Sequence, residues 1–455
     1  MSSPNQPSLL DRVLRPFAHV RSGEGLIALL LFACVFTILC AYYVLKTARE
    51  GLILSGGMFG LRGDELKIYA TGAMAMLFVV VVPVYGALAS KVGRMRLINI
   101  SYGIVIGCLA VFFVLGRAGV PVGLVFFIWL GLINIFLVAQ FWSYASDLYS
   151  EEQGKRLFAI IAIGGSLGAI VGPKLAGLAG TYEVLVIAAL LLVVCLALFN
   201  VIEGITAKRT RRPAPAPIPG PNGFELVRRD RYLLLIAAMS VIANLVNTTG
   251  EYILSSFAAD HAASLIPDLA HPELDGAARE AAISHDRREV IKSFYGDFFF
   301  WVNLIGFVIQ AFLVSRVIKR FGVRAALFVL PIVAFGTYGA VAAAGGLALV
   351  SVAKVAENST DYSLQNTVKQ ALWLPTSRAA KYKAKAAIDT FFVRFGDTVS
   401  AILVGIGLHQ LDLDRAELAL VNLGLVAVWF AIVAGIGRRH AAAVDTAPAL
   451  AGARP

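Results

Sequence analysis

Apolar runs of about twenty residues recur along this chain, separated by short polar stretches. Roughly twelve can be marked off, at 26–54, 66–89, 97–116, 121–146, 157–179, 183–202, 232–257, 294–315, 325–345, 347–373, 386–408 and 417–437. Each is long enough to cross a hydrocarbon layer of about 30 Å as a helix. The pattern predicts an all-α membrane protein of twelve transmembrane helices. No alternating strand pattern competes with it.

The run of spans is broken once by linker-like sequence. Residues 204–230 carry Lys208-Arg-Thr-Arg-Arg212 and then Pro213-Ala-Pro-Ala-Pro-Ile-Pro-Gly-Pro221, which cannot continue a helix and favours an extended form. The linker leaves six spans on each side, and the two sides look alike. Leu45-Lys-Thr-Ala-Arg49-Glu50 aligns with Val246-Asn247-Thr-Thr-Gly250-Glu251, and Ser90-Lys-Val-Gly93-Arg aligns with Lys319-Arg-Phe-Gly322-Val-Arg324. The second alignment is offset by about 28 residues more than the first, which predicts a hydrophilic insertion at 258–292 between spans seven and eight. The expected layout is therefore a segment 1–24, a six-helix half 25–203, the linker, a pseudo-symmetric six-helix half 231–437 and a tail 438–455.

Composition agrees with the pattern. Of 455 residues, 58% are apolar types and 15% charged, against roughly 25% charged in soluble domains. The formal charge of +11 could suggest a nucleic-acid partner, but its placement does not. Arg12, Arg15 and Arg21 precede the first span, and further clusters follow spans two, four, six, eight, ten and twelve. The alternate loops are poor in Lys and Arg, so the charge reads as topology with both termini cytoplasmic. Cys34, Cys40, Cys108 and Cys195 lie within spans and read as small buried hydrophobes. His261, His271 and His285 sit among acids in the insertion without tight ligand spacing, and no metal or cofactor is expected. No cleavable leader is expected before the first span either.

Polar side chains inside spans carry the chemistry, because a charge at bilayer depth costs several kcal/mol unless it faces a watery interior. Lys354, Glu357, Asn358, Asp361 and Gln365 fall at helical spacing on one face of span ten. Span one ends Tyr42, Tyr43, Lys46, Arg49, Glu50. Lys46 stands ~30 Å along that helix, so its charges either snorkel at a helix end or line a cavity. Span four repeats the pattern in brief with Gln140, Ser143, Tyr144 and Asp147. The glycine-rich Gly164–Gly177 stretch of span five suits close helix packing and fails as a phosphate loop, since no strand precedes it.

Two resemblances follow from these residues. Gly86-Ala-Leu-Ala-Ser90-Lys-Val-Gly93-Arg-Met-Arg96 resembles the signature loop of the major facilitator superfamily, with Ser90 at the acid position, and two like six-helix halves are that superfamily's architecture. Phe141-Trp142 through Lys155-Arg156-Leu-Phe158, and Tyr362-Ser-Leu364 through Lys369, Pro375, Lys381-Tyr-Lys383-Ala-Lys385-Ala-Ala-Ile-Asp389, resemble the nucleotide (ATP/ADP) translocase family of plastids and intracellular bacteria. Asn244-Leu-Val246 matches that family's span-seven Asn-Leu-Val-Glu, with Asn247 replacing the Glu. Glu251 replaces a Lys, Gln370 a Glu, and span one loses an acid. The likeness implies a divergent bacterial relative in the inner membrane.

The resulting expectation is a secondary transporter, not an enzyme, with spans one, four, seven and ten lining its cavity. It would move an anionic, nucleotide-like or phosphorylated small molecule, by exchange. Proton-coupled transport of another organic solute is the alternative, and a receptor or membrane enzyme the more distant one. Lys46, Arg49, Asn247, Lys354, Asn358 and Lys369 are the candidate substrate ligands. Lys155, Lys381, Lys383 and Lys385 are candidate residues of the cytoplasmic mouth, unless they serve topology alone. Glu50, Glu251, Glu357 and Asp361 are candidates for charge balance or coupling.

Overall fold

The computed structural model describes residues 21, 24–206 and 221–451, apart from the side chains of 87–91, 151, 155 and 441–451. The first twenty residues, most of the proline-rich linker, the last residues of the tail and the Lys155 side chain therefore lie outside the described residues. Within them the chain is helical, and ten helices are long and apolar enough to cross a membrane. These are α1 Gly25–Leu54, α2 Gly63–Lys91, α3 Arg94–Arg117, α4 Gly123–Leu148, α5 Glu151–Ala176, α6 Glu183–Thr206, α7 Arg231–Leu265, α8 Gly276–Ala326, α11 Ala380–Gln410 and α12 Arg415–Ala451.

The ninth and tenth expected spans differ from the rest. Helix α9, Val329–Ala343, has only 15 residues. Helix α10 runs Leu347–Thr360, passes through a π turn at Asp361–Gln365, and continues as Asn366–Ala371. Lys354, Glu357, Asp361 and Lys369 leave α10 more polar than the other expected spans, and it is not among the ten. The hydrophilic insertion also turns out mostly helical. Helix α7 extends to Leu265 and α8 starts at Gly276, leaving only 266–275 as a connection. Pairs such as Glu289 with Lys292, one turn apart, let a charged stretch continue a helix into solvent.

The chain forms two compact units. The first comprises residues 1–56, 81–215 and 266–303; the second comprises 57–80, 216–265 and 304–455. The first is built around α1, which packs along α5 and α6. Gly164, Gly168 and Gly172, one turn apart on α5, meet Phe32, Phe36 and Cys40 of α1 backbone to side-chain-free face, so the glycine stretch is a packing device. Phe199 anchors the aromatic core, edge-on to Tyr102, Phe141 and Tyr144. Helix α5 opens with a capping box between Ser150 and Gln153. Burial pushes the Glu24 carboxyl up, but Arg156, the Arg21 amide and Gln153 hold it below its usual range.

In the second unit α7 packs against α11 and α12, and α12 against α9. Gly396 of α11 lies so close to the Val241 carbonyl that an added Cβ would stand 2.7 Å from it. The connection after Gln410 is held by Asp260, which pairs with both Arg62 and Arg415.

Candidate functional site

The second unit holds a buried polar cluster built by α7, α9 and α10. Lys354 is 1% exposed. Its ammonium donates to Asn247 Oδ1 at 2.9 Å and stands 3.2 Å from Glu357 and 3.9 Å from Glu251. Asn358 donates to Glu251 at 2.8 Å. The Tyr338 hydroxyl of α9 lies 3.1 Å from a Glu357 oxygen and 3.0 Å from the Val246 carbonyl, which Asn422 of α12 also caps. Helical spacing puts Asn247 and Glu251 one turn apart facing Lys354, Glu357 and Asn358. Gly250, between them, leaves the room that Tyr338 and Lys354 occupy.

Lys354 thus faces two carboxylates, Glu357 closely and Glu251 at longer range. Buried charges persist only when paired and hydrogen-bonded. Lys354 and Glu357 meet that condition fully; Glu251 meets it loosely, with a quarter of its side chain exposed. Five predicted site residues thus meet in one network.

The others lie elsewhere. In the first unit, Arg49 donates to Glu50 through Nε at 3.2 Å and Nη2 at 2.5 Å, and its guanidinium stacks on Phe127 at 4.3 Å. Lys46 lies over the rings of Phe299, at 4.2 Å, and Tyr43. Asp361, expected in the span-ten stripe, stands part-exposed at the start of the π turn and pairs with Lys369 at 3.6 Å. Gln365 returns to full burial. Of the mouth lysines, Lys381 donates to the Leu374 carbonyl, Lys383 to the Pro221 carbonyl, and Lys385 pairs with Asp389.

Two further features were not singled out from sequence. Arg94, in the signature loop where Ser90 replaces an acid, finds Asp147 at 2.6 Å and Glu203 at 3.6 Å and lies over the Tyr144 ring. A basic residue in that loop thus has acidic partners on α4 and α6. In the second unit Asp397 of α11, 4% exposed, accepts from Asn244, Thr248 and Arg394. Arg394 stands one turn away in sequence, but Asn244 and Thr248 are about 150 residues distant, so local spacing gives only part of the cluster.

Comparison with known proteins places this geometry. The model of the Major Facilitator Superfamily matches residues 3–173. An ADP,ATP carrier protein 1 from Chlamydia pneumoniae is 20% identical over 381 residues, covering 70% of this chain and 68% of the carrier. Among solved structures, a bacterial homologue of the iron transporter ferroportin superposes with a TM-score of 0.60 at 13% identity, covering 90% of this chain and 98% of that one. The nucleoside transporter NupG does so at 0.53 and 15%, covering 90% and 98%. The protein is therefore an all-α, multi-pass membrane protein with the major facilitator fold, a transporter of that type, and distantly similar to ADP,ATP carriers.

Proposed function

We propose that this transporter moves an anionic, nucleotide-like or phosphorylated solute by alternating access, in exchange for a like solute. The observation that carries the reading is Lys354. A lysine in a span costs about 2.5–3.5 kcal/mol at the helix centre, and this one is held by Asn247 and Glu357 with Glu251 as its loosest partner. A phosphate oxygen of the substrate takes the place of the Glu251 carboxylate beside the ammonium, at no change in the number of charges paired. The empty carrier re-pairs Lys354 with Glu251, which favours exchange over one-way movement.

Lys46 and Arg49 supply the same chemistry on α1, with Glu50 balancing Arg49. Asn247 and Asn358 orient Lys354 and Glu251. Lys369, balanced by Asp361, together with Lys155, Lys381, Lys383 and Lys385, raises the local concentration of anions at the cytoplasmic mouth. The setting is the bacterial inner membrane with both termini in the cytoplasm. The likeness to ADP,ATP carriers supports the nucleotide class.

Reconstituted vesicles given labelled ATP and ADP, with and without unlabelled nucleotide inside, test this. Uptake that needs a loaded interior and disappears in Lys354→Gln is expected; no uptake in either format overturns it. A second reading, proton-coupled transport of another organic solute, is favoured by the presence of two carboxylates beside one lysine in a span. It predicts uptake driven by a pH gradient into empty vesicles.

A further inference from the structure

We infer that Asp397 is a proton-binding site whose protonation frees Arg394 to hold an anion, so that proton and anion bind together. The anion half rests on the reading proposed above; the proton half stands on the geometry of α7 and α11.

Where Gly396 brings α11 against α7, Asp397 is sealed from solvent. One carboxylate oxygen accepts from Asn244 Nδ2 at 2.5 Å and from Thr248 Oγ1 at 2.7 Å. The other accepts from Arg394 Nη1 at 3.0 Å. Around the acid, α7 contributes only neutral groups, Asn244 and Thr248, with the Thr249–Ser400 hydroxyl pair one turn on. From α2, Phe78 lies under the Arg394 guanidinium at 4.8 Å, and Gly72 faces Ala401. Among the described residues, Arg394 is the charged group that pairs with Asp397.

That single counter-charge has consequences. In a span, neither the carboxylate nor the guanidinium is stable alone. Two arrangements keep the site neutral: the ion pair itself, or a protonated Asp397 with Arg394 holding an outside anion. A proton without an anion strands Arg394, and an anion without a proton leaves a surplus negative charge. Each ligand therefore raises affinity for the other by the same factor. The proton comes from water and settles on the oxygen that Arg394 vacates.

The neighbours fit both arrangements. The Asn244 amide donates to a neutral acid as well as to an ionised one, and the Thr248 hydroxyl can rotate to donate or accept. Arg394 is positioned to be the movable partner: its side chain is 29% exposed while that of Asp397 is 5% exposed. Phe78 holds the guanidinium plane, so the fork stays oriented when the carboxylate lets go.

Infrared difference spectroscopy of the full-length protein in nanodiscs, titrated with acid, tests the site without any substrate. A protonated-carboxyl band should grow as pH falls and be missing from Asp397→Asn. Its midpoint should lie about 1–3 pH units higher in Arg394→Gln, where the counter-charge is gone. An unchanged band in Asp397→Asn, or one midpoint shared by wild type and Arg394→Gln, overturns the proton site. Adding inorganic phosphate or ADP should raise the wild-type midpoint and leave that of Arg394→Gln unmoved. If neither anion moves the wild-type midpoint, the coupling to an anion is overturned. Nucleotide uptake into vesicles then decides separately whether the proposed function falls with it. Each single variant breaks a buried pair and should melt below wild type; a single cooperative thermal transition in all three proteins guards against reading a misfolded variant.

Discussion

Replacing Lys354 by methionine keeps the length of the side chain and removes its charge. At an effective dielectric constant of about 20, the attraction to Glu357 at 3.2 Å is about 5 kcal/mol and to Glu251 at 3.9 Å about 4 kcal/mol. Desolvation of the three ions offsets much of this, so the pair as a whole contributes little. Removing one partner is different, because it leaves Glu357, 3% exposed, as an uncompensated buried charge. The expected cost is about 3–5 kcal/mol. A folded unit of this size loses about 2–4 °C per kcal/mol, so Lys354→Met should lower the melting midpoint by at least about 6 °C. Cys34, Cys40 and Cys195 are buried, so a thiol-reactive dye reports unfolding directly. The added change Glu357→Gln removes the stranded charge while keeping a group for Tyr338 to bond, and should recover at least about half of the loss. Unchanged melting in Lys354→Met, or strictly additive losses in the double variant, would refute the reasoning.

The other expectations are more local. Gly250→Ala should weaken the same network by about 1–3 kcal/mol, since the new methyl group meets the Tyr338 hydroxyl and stands 3.1 Å from the Lys354 ammonium; melting and uptake should fall together. Gly172→Ala should separate α5 from α1, its Cβ being 2.6 Å from the Cys40 carbonyl and 2.8 Å from Tyr43 Cβ, whereas Gly103→Ala, with open space around it, should melt as wild type or slightly higher. His271 is held by Asp286 and Glu273, which raise its pKa above the ordinary value. Its contribution to ordering the 266–275 connection is thus complete below about pH 6.5 and lost as pH rises through the raised value. Proteolysis at that connection should speed up from acid to alkaline pH, and His271→Ala should be cut at the alkaline rate throughout.

Much of the fold is legible because hydrophobic length is a one-dimensional signal. Nearly every apolar run became a long helix. What misled is where polarity and helicity part company. The 258–292 stretch looked like a loop because it is charged, yet its charges pair along helices. The site was half legible. Lys354, Glu357 and Asn358 announced themselves by spacing on one helix, and their partners on α7 by the internal repeat. Asp397 did not, since its meaning comes from Asn244 and Thr248, about 150 residues earlier. Asp361 shares the helical spacing of the span-ten stripe, yet it stands part-exposed beside Lys369, and no residue type marks the π turn that begins there.

That turn also gives the tenth span a mechanical property. At Asp361–Gln365 the helix accommodates one more residue per turn than its neighbours do. Excising any one residue there would restore regular winding without breaking the chain. Asn366–Ala371 would keep the faces it now presents, because the turn absorbs its extra residue locally, whereas the same deletion in a regular turn would swing that segment by about 100°. Lys354, two turns upstream, and Lys369 would both keep their partners. The turn lets the span carry one surplus peptide without changing the phase between the buried cluster and the basic end.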